Sequence, residues 1–112
     1  MATQTNPNFE SDLRIWLAGA QAKITKHYQD RFPTLETPVL SLERGRRYIR
    51  VVRGEGPGGE ERRSVFAFID ASNGDVLKAE GWKKPALHAR GNIGDPSHGL
   101  ARVGTYGPEY LR

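Results

Sequence analysis

From Phe9 to Tyr28 the apolar positions fall at steps of four and three. Phe9, Leu13, Trp16, Leu17, Ala20, Ile24 and Tyr28 form one stripe on a helix. Asp12, Gln21, Lys23, Lys26 and Gln29 occupy the other side and read as solvent-facing. Asn6-Pro7 offers a cap followed by proline at a first helical position, and Asn8 is a second cap candidate. Pro33 disfavours helical geometry just before it, so the spacing predicts a helix over 8–32. The stripe reads as the core face of that helix, with a partner-binding helix as the alternative.

The period then changes from 3.6 to 2. Leu40 and Leu42 share one side of Val39–Glu43, and Ile49 and Val51 share one side of Tyr48–Arg53, with Gly45 as the corner between them. Gly54–Gly59 reads as a mobile hairpin tip. In Ser64–Asp70, Val65, Ala67 and Ile69 face one way and Phe66 and Phe68 the other, so both faces are apolar and a central strand is expected. Asn73-Gly74 is a hairpin signal, after which Val76–Ala79 returns. Beyond Trp82 the period dissolves. Pro85–Ala89 reads as one helical turn at most, and Gly91, Gly94, Pro96, Gly99, Gly104, Gly107 and Pro108 break up the rest. Even so, Ile93, Leu100, Val103, Tyr106, Tyr110 and Leu111 are too apolar for a disordered tail. The expected architecture is α+β, with an N-terminal helix packed on an antiparallel β-meander of about four strands over 38–80. It forms one domain over 1–112, with a polar, disordered 1–6 and an irregular Gly/Pro-rich ligand-binding segment over 81–112.

Composition adds limits to this picture. The 112 residues contain no cysteine, which excludes disulfides and thiolate metal sites. No apolar run approaches a membrane span and Met1–Pro7 lacks the order of a signal peptide, so a cytoplasmic protein is expected. The net charge is +4, and residues 78–112 carry six Lys/Arg against three acids, so most of the excess lies near Trp82. Seven arginines in 41–77 are interleaved with six acids, and that region reads as a solvated, ion-paired sheet face rather than a phosphate-tracking one.

Few residues are suited to chemistry. The Gly-rich tip lacks the Gly-Lys-Ser/Thr ending and the following helix of a phosphate loop. His27 lies on the polar side of the helix and reads as exposed. His88 and His98 have no metal spacing and no nucleophile beside them, so no catalytic residue, metal or cofactor is expected. Trp82–Asn92 is denser: Trp82, Lys83, Lys84, His88, Arg90 and Asn92 fall within eleven residues. An indole stacks on bases, a guanidinium forks onto phosphate and an amide reads base edges. Gly91 would let the main chain approach a ligand closely. The competing reading has Trp82 capping the core and Arg90 pairing with Asp95 or Glu80.

The blocks Val65-Phe66-Ala67-Phe68-Ile69-Asp70, Asn73-Gly74-Asp75-Val76-Leu77-Lys78, Trp82-Lys83-Lys84-Pro85-Ala86-Leu87-His88-Ala89-Arg90-Gly91-Asn92-Ile93 and Tyr106-Gly107-Pro108-Glu109-Tyr110-Leu111 resemble a family of small bacteriophage proteins. The set is similar to the core of phage Thoeris anti-defence sponges, which sequester cyclic ADP-ribose-type signals made by TIR-domain proteins. The resemblance spans roughly residues 46–112. It implies a non-enzymatic homo-oligomer in the host cytoplasm, with pockets at subunit boundaries and cyclic oligonucleotides as a second ligand class. By position in the motif, Trp82 would stack on adenine and Asn92 would hydrogen-bond the ligand. Arg90 stands where the pattern has a smaller polar residue, so its role is open. A later arginine would clamp the pyrophosphate, with Arg102 and Arg112 both candidates. Lys84 and His88 complete the expected ligand-binding set. The rival readings are a small basic nucleic-acid-binding phage protein and a PepSY- or cystatin-like protein-binding inhibitor.

Overall fold

The computed structural model describes residues 7–104 and 107–108. Helix α1 spans Phe9–Arg31. Its stripe is buried as the periodicity requires: Phe9, Leu13, Trp16, Ala20 and Ile24 lose nearly all contact with solvent, and Leu17 and Tyr28 flank them. Each large apolar side chain so buried contributes about 1.5–3 kcal/mol. Asn8 occupies the N-cap position without a side-chain capping bond, and the other candidate, Asn6, lies outside the described residues. At the other end Phe32 closes the helix before Pro33, its N–H donating to the Tyr28 carbonyl at 2.7 Å.

Five strands follow: β1 Val39–Arg44, β2 Tyr48–Glu55, β3 Arg62–Asp70, β4 Asp75–Ala79 and β5 Pro85–Asn92. They form an antiparallel meander in sequence order, with β3 in the centre. α1 covers one face, closing a core that includes Leu40, Ile49, Val51, Ala67, Ile69 and Val76. The Gly-rich tip between β2 and β3 is a 3-10 turn at Pro57–Gly59. Val51 pairs with Ala67 while Val52 pairs with Val65, leaving Phe66 bulged between them. This bulge reverses the expected facing of Phe66, which packs edge-on against Trp16 at 6.3 Å.

The meander has one strand more than expected. Pro85–Asn92 pairs with β4 rather than forming a helical turn. The proline stands at the first residue of an edge strand, where its missing N–H is tolerated. Two irregularities in the register remove the alternation by which a strand would be recognised. The tail after β5 lies against the helix side of the sheet. Ile93 and Val103 enter the core, Leu100 packs against it, and the Lys23 ammonium donates to the Leu100 and Val103 carbonyls at 2.7 Å each. The described part of the tail includes a two-stranded ribbon of β6 Val103–Gly104 and β7 Gly107–Pro108, tied to β4 by Lys78 donating to the Pro108 carbonyl.

The polar side of α1 is therefore not simply solvated. Besides Lys23, the Gln21 amide donates to the Pro38 carbonyl at 2.9 Å and accepts from the Leu40 N–H at 2.8 Å, and so caps the start of edge strand β1. Among the described residues no helix is long and apolar enough to cross a membrane.

Candidate functional site

The face of the sheet away from α1 carries Arg50, Arg63 and Glu43 beside Val52, Phe68 and Leu77, which are buried outside the helix-side core. Ile49 and Val51 point into the core, so Arg50 between them points outward, directly opposite Glu43 of β1. The turn joining β4 to β5 is tightened by the Glu80 and Gly81 N–H groups donating to the Lys84 carbonyl. It reaches back across the outer face until the Trp82 carbonyl accepts from Arg50 Nε at 2.9 Å.

This fold-back places the indole among cations. The Arg50 guanidinium lies 4.7 Å from the Trp82 ring centroid and that of Arg63 lies 5.7 Å away. One carboxylate holds both: Glu43 Oε1 accepts from Arg50 at 2.7 Å and Oε2 from Arg63 at 2.6 Å. The hydrogen bonds from Arg63 and then Arg50 hold the Glu43 carboxyl below its ordinary range, and Arg63 is raised in turn. Trp82 retains 39% of its surface. Lys83 and Lys84 beside it are exposed and make no ion pair among the described residues.

The rest of the expected ligand-binding set is elsewhere. Asn92 lies at the far end of β5, roughly 20 Å from the Trp82 turn at about 3.3 Å per residue. Its amide is spent locally: Nδ2 donates to the Asn73 carbonyl at 2.7 Å and Asp75 Oδ1 at 3.0 Å, and Oδ1 accepts from Gly94 N–H at 2.8 Å. Arg90 keeps 7% of its surface and donates to the His88 carbonyl of its own strand. His88 is exposed on edge strand β5. Arg102 stands in the tail segment that Lys23 clamps to α1, across the sheet from Trp82. Arg112 lies outside the described residues, as do residues 1–6, Tyr106, Tyr110 and Leu111. A single chain thus does not gather Trp82, Arg90 and Asn92 into one cradle. Gly91, with φ of 146°, approaches Gly99 of its own tail.

The far end of β5 is instead a structural knot around Asp95. Its carboxylate accepts from the N–H groups of Asn92, Ser97 and Gly99 and from the Ser97 hydroxyl, at 2.8–3.2 Å. Burial pushes this carboxyl upward, but the bonds from Gly99, Ser97 and Asn92 together outweigh it and leave Asp95 below its ordinary value of 3.8. His98 lies 3.7 Å from Asp12 of α1. His27, expected to be exposed, is half-buried with its ring 5.8 Å from that of Phe32. Among the described residues no cluster of His, Asp and Glu could hold a metal ion.

The interleaved arginines do pair as the sequence suggests. Arg44 forks onto Glu10, and Glu55 is shared by Arg62 at 2.9 Å and buried Arg53 at 3.7 Å. Arg50 and Arg63 differ from these in what lies beside them. Concave space occurs on the other side of the sheet, in a cavity of about 310 Å³ lined by Tyr28, Leu35, Pro38, Glu55, Pro57 and Arg62 among others. Trp82 does not line it.

Residues 9–108 match a family model described as a family of unknown function, DUF7717. The chain belongs to this family. No curated protein and no solved structure matches it. Arg50, Arg63 and Glu43, read from the sequence as part of an ion-paired sheet face, are the residues that the structure brings beside Trp82. The available signal was the outward phase of Arg50 opposite Glu43 across the Gly45 corner, but nothing in the chain order connects those strands to Trp82.

Proposed function

We propose that this DUF7717 protein binds an anionic, adenine-bearing small molecule on the Trp82 platform and holds it without chemical change. The observation that carries this reading is the Trp82 indole flanked by the Arg50 and Arg63 guanidiniums, with Lys83 and Lys84 adjacent. An aromatic face next to cations suits a base linked to phosphate. The resemblance to Thoeris anti-defence sponges supplies the specific form: a cyclic ADP-ribose isomer, sequestered in the host cytoplasm. Sequestration works by mass action, so it needs affinity and copy number rather than turnover. The platform is open, and a second copy of the chain closing over it would supply the excluded water that tight small-molecule binding needs. That requirement is in line with a homo-oligomer.

The test is mass spectrometry of small molecules released by heat from protein co-expressed with an active TIR enzyme. An ADP-ribose isomer is expected from the parent protein and not from Trp82→Ala. Release of none from either would end this reading.

The openness of the platform favours a second reading, in which the same indole and cations follow single-stranded nucleic acid. Binding to oligonucleotides that weakens steeply with salt, with no small molecule retained, would select it.

A further inference from the structure

We propose that Glu43 is a built-in stand-in for a ligand phosphate: its carboxylate occupies the anion position between Arg50 and Arg63, and a phosphoanion binds by displacing it. This inference rests on the Trp82 platform being the ligand site and adds the mode of regulation of that site.

Glu43 gives one oxygen to each guanidinium, at 2.7 and 2.6 Å. Arg50 cannot swing freely, because its Nε is bound to the Trp82 carbonyl and its guanidinium lies over the indole. Arg50 is therefore held in place beside the indole whether or not its acceptor is Glu43, and Arg63, bonded to Glu43, lies 5.7 Å from the same ring centroid. Such an arrangement is what a bidentate phosphate contact needs. All three side chains keep contact with water, at 25% exposure for Arg50, 37% for Arg63 and 38% for Glu43. The carboxylate can accordingly rotate out without disturbing the core. A planar carboxylate offers two oxygens and one charge. A pyrophosphate offers more of both, and Lys83 and Lys84 of the adjoining turn, which make no ion pair among the described residues, offer further positive charge for the surplus.

The arrangement is a filter as well as a placeholder. A singly charged anion gains too little to evict Glu43, whereas a multiply charged phosphoanion replaces both lost bonds and adds others. Selectivity for pyrophosphate-bearing ligands then comes from competition inside the protein rather than from the shape of a pocket.

Calorimetric titration with inorganic pyrophosphate and with ADP-ribose tests this in the full chain and in Glu43→Gln. Glu43→Gln is expected to bind both about tenfold more tightly, an amide being a far weaker competitor than a carboxylate. It is also expected to bind acetate and nitrate, singly charged anions that the parent protein ignores. Glu55→Gln removes the same charge from the opposite face and is expected to leave affinity unchanged. Should Glu43→Gln fold poorly, as shown by its melting curve, Glu43→Asp keeps the charge but withdraws it by one methylene and should give a smaller gain. The inference is overturned if Glu43→Gln binds no better than the parent, or if Glu55→Gln gains as much. Tight ADP-ribose binding by the parent, lost in Trp82→Ala but not improved in Glu43→Gln, would leave the platform reading intact. Tighter pyrophosphate binding in Glu43→Gln, with no added affinity for ADP-ribose and no effect of Trp82→Ala, would do the reverse. No binding by any variant removes both.

Discussion

The two ends of β5 are built from similar residues and are used in opposite ways. At the Asn92 end, each polar atom of the amide has a partner within the chain, and the Asp95 carboxylate accepts four hydrogen bonds from neighbouring groups. At the Trp82 end, the indole stays part-exposed, two guanidiniums share one carboxylate, and two lysines have no ion-pair partner among the described residues. The first end has spent its hydrogen-bonding capacity on joining the tail to the sheet. The second still has capacity to offer. Residue type alone does not make a binding site; unspent valence at a solvent boundary does.

The largest effects are expected at the Asn92 end. Gly99 has φ of 76°, and an added Cβ would meet Val76 at 2.9 Å and Trp16 at 3.0 Å. Gly99→Ala is expected to cost about 3 kcal/mol, combining backbone strain and overpacking, measured by urea denaturation. Asn92→Ala comes next, at about 2 kcal/mol, since it leaves the Asn73 carbonyl and the Gly94 N–H without their partner. For a domain of this size that is a fall of about 10 °C in melting temperature. A loss below 0.5 kcal/mol would mean that Asn92 is not structural after all.

Acid should loosen the same end. Asp95 is lowered from 3.8, so its stabilising contribution is complete above that value and is lost as pH falls through the lower folded value. Glu10, lowered by its bond to Arg44, behaves alike. Stability is expected to drop below about pH 4, and Asp95→Asn should flatten that part of the curve while lowering stability at neutral pH. Smallest of all is the stability effect of Trp82→Ala, expected to be under about 1 kcal/mol because exposed cation–π contacts contribute little. A large loss there would make Trp82 a core-capping residue and erase the contrast between the two ends.

The sequence carries the fold further than the site. The step-of-four stripe of α1 is buried as read, and the doubly apolar Ser64–Asp70 lies in the central strand. What escaped was set by tertiary pairing. β5 has no alternation because its bulges put unequal numbers of residues opposite β4, and Phe66 changes face for the same reason. Gln21 and Lys23 look solvent-facing because their partners are backbone carbonyls and N–H groups, which leave no mark in composition. The spatial grouping of Trp82, Arg90 and Asn92 escaped for a related cause. Eleven adjacent residues form a single cluster in the sequence, but an extended strand carries its ends apart while a turn brings distant residues together. Arg50 and Arg63 precede Trp82 by 32 and 19 positions and still surround it.

The most direct test pairs Trp82→Ala with Asn92→Ala in one calorimetric titration with a cyclic ADP-ribose isomer, at a temperature where both variants are folded. Trp82→Ala is expected to lose more than tenfold in affinity, in keeping with the worth of a stacked base. Asn92→Ala should keep the parent affinity despite its lower melting temperature. Loss of binding in Asn92→Ala with parent-like affinity in Trp82→Ala would contradict the Trp82 platform as the ligand site.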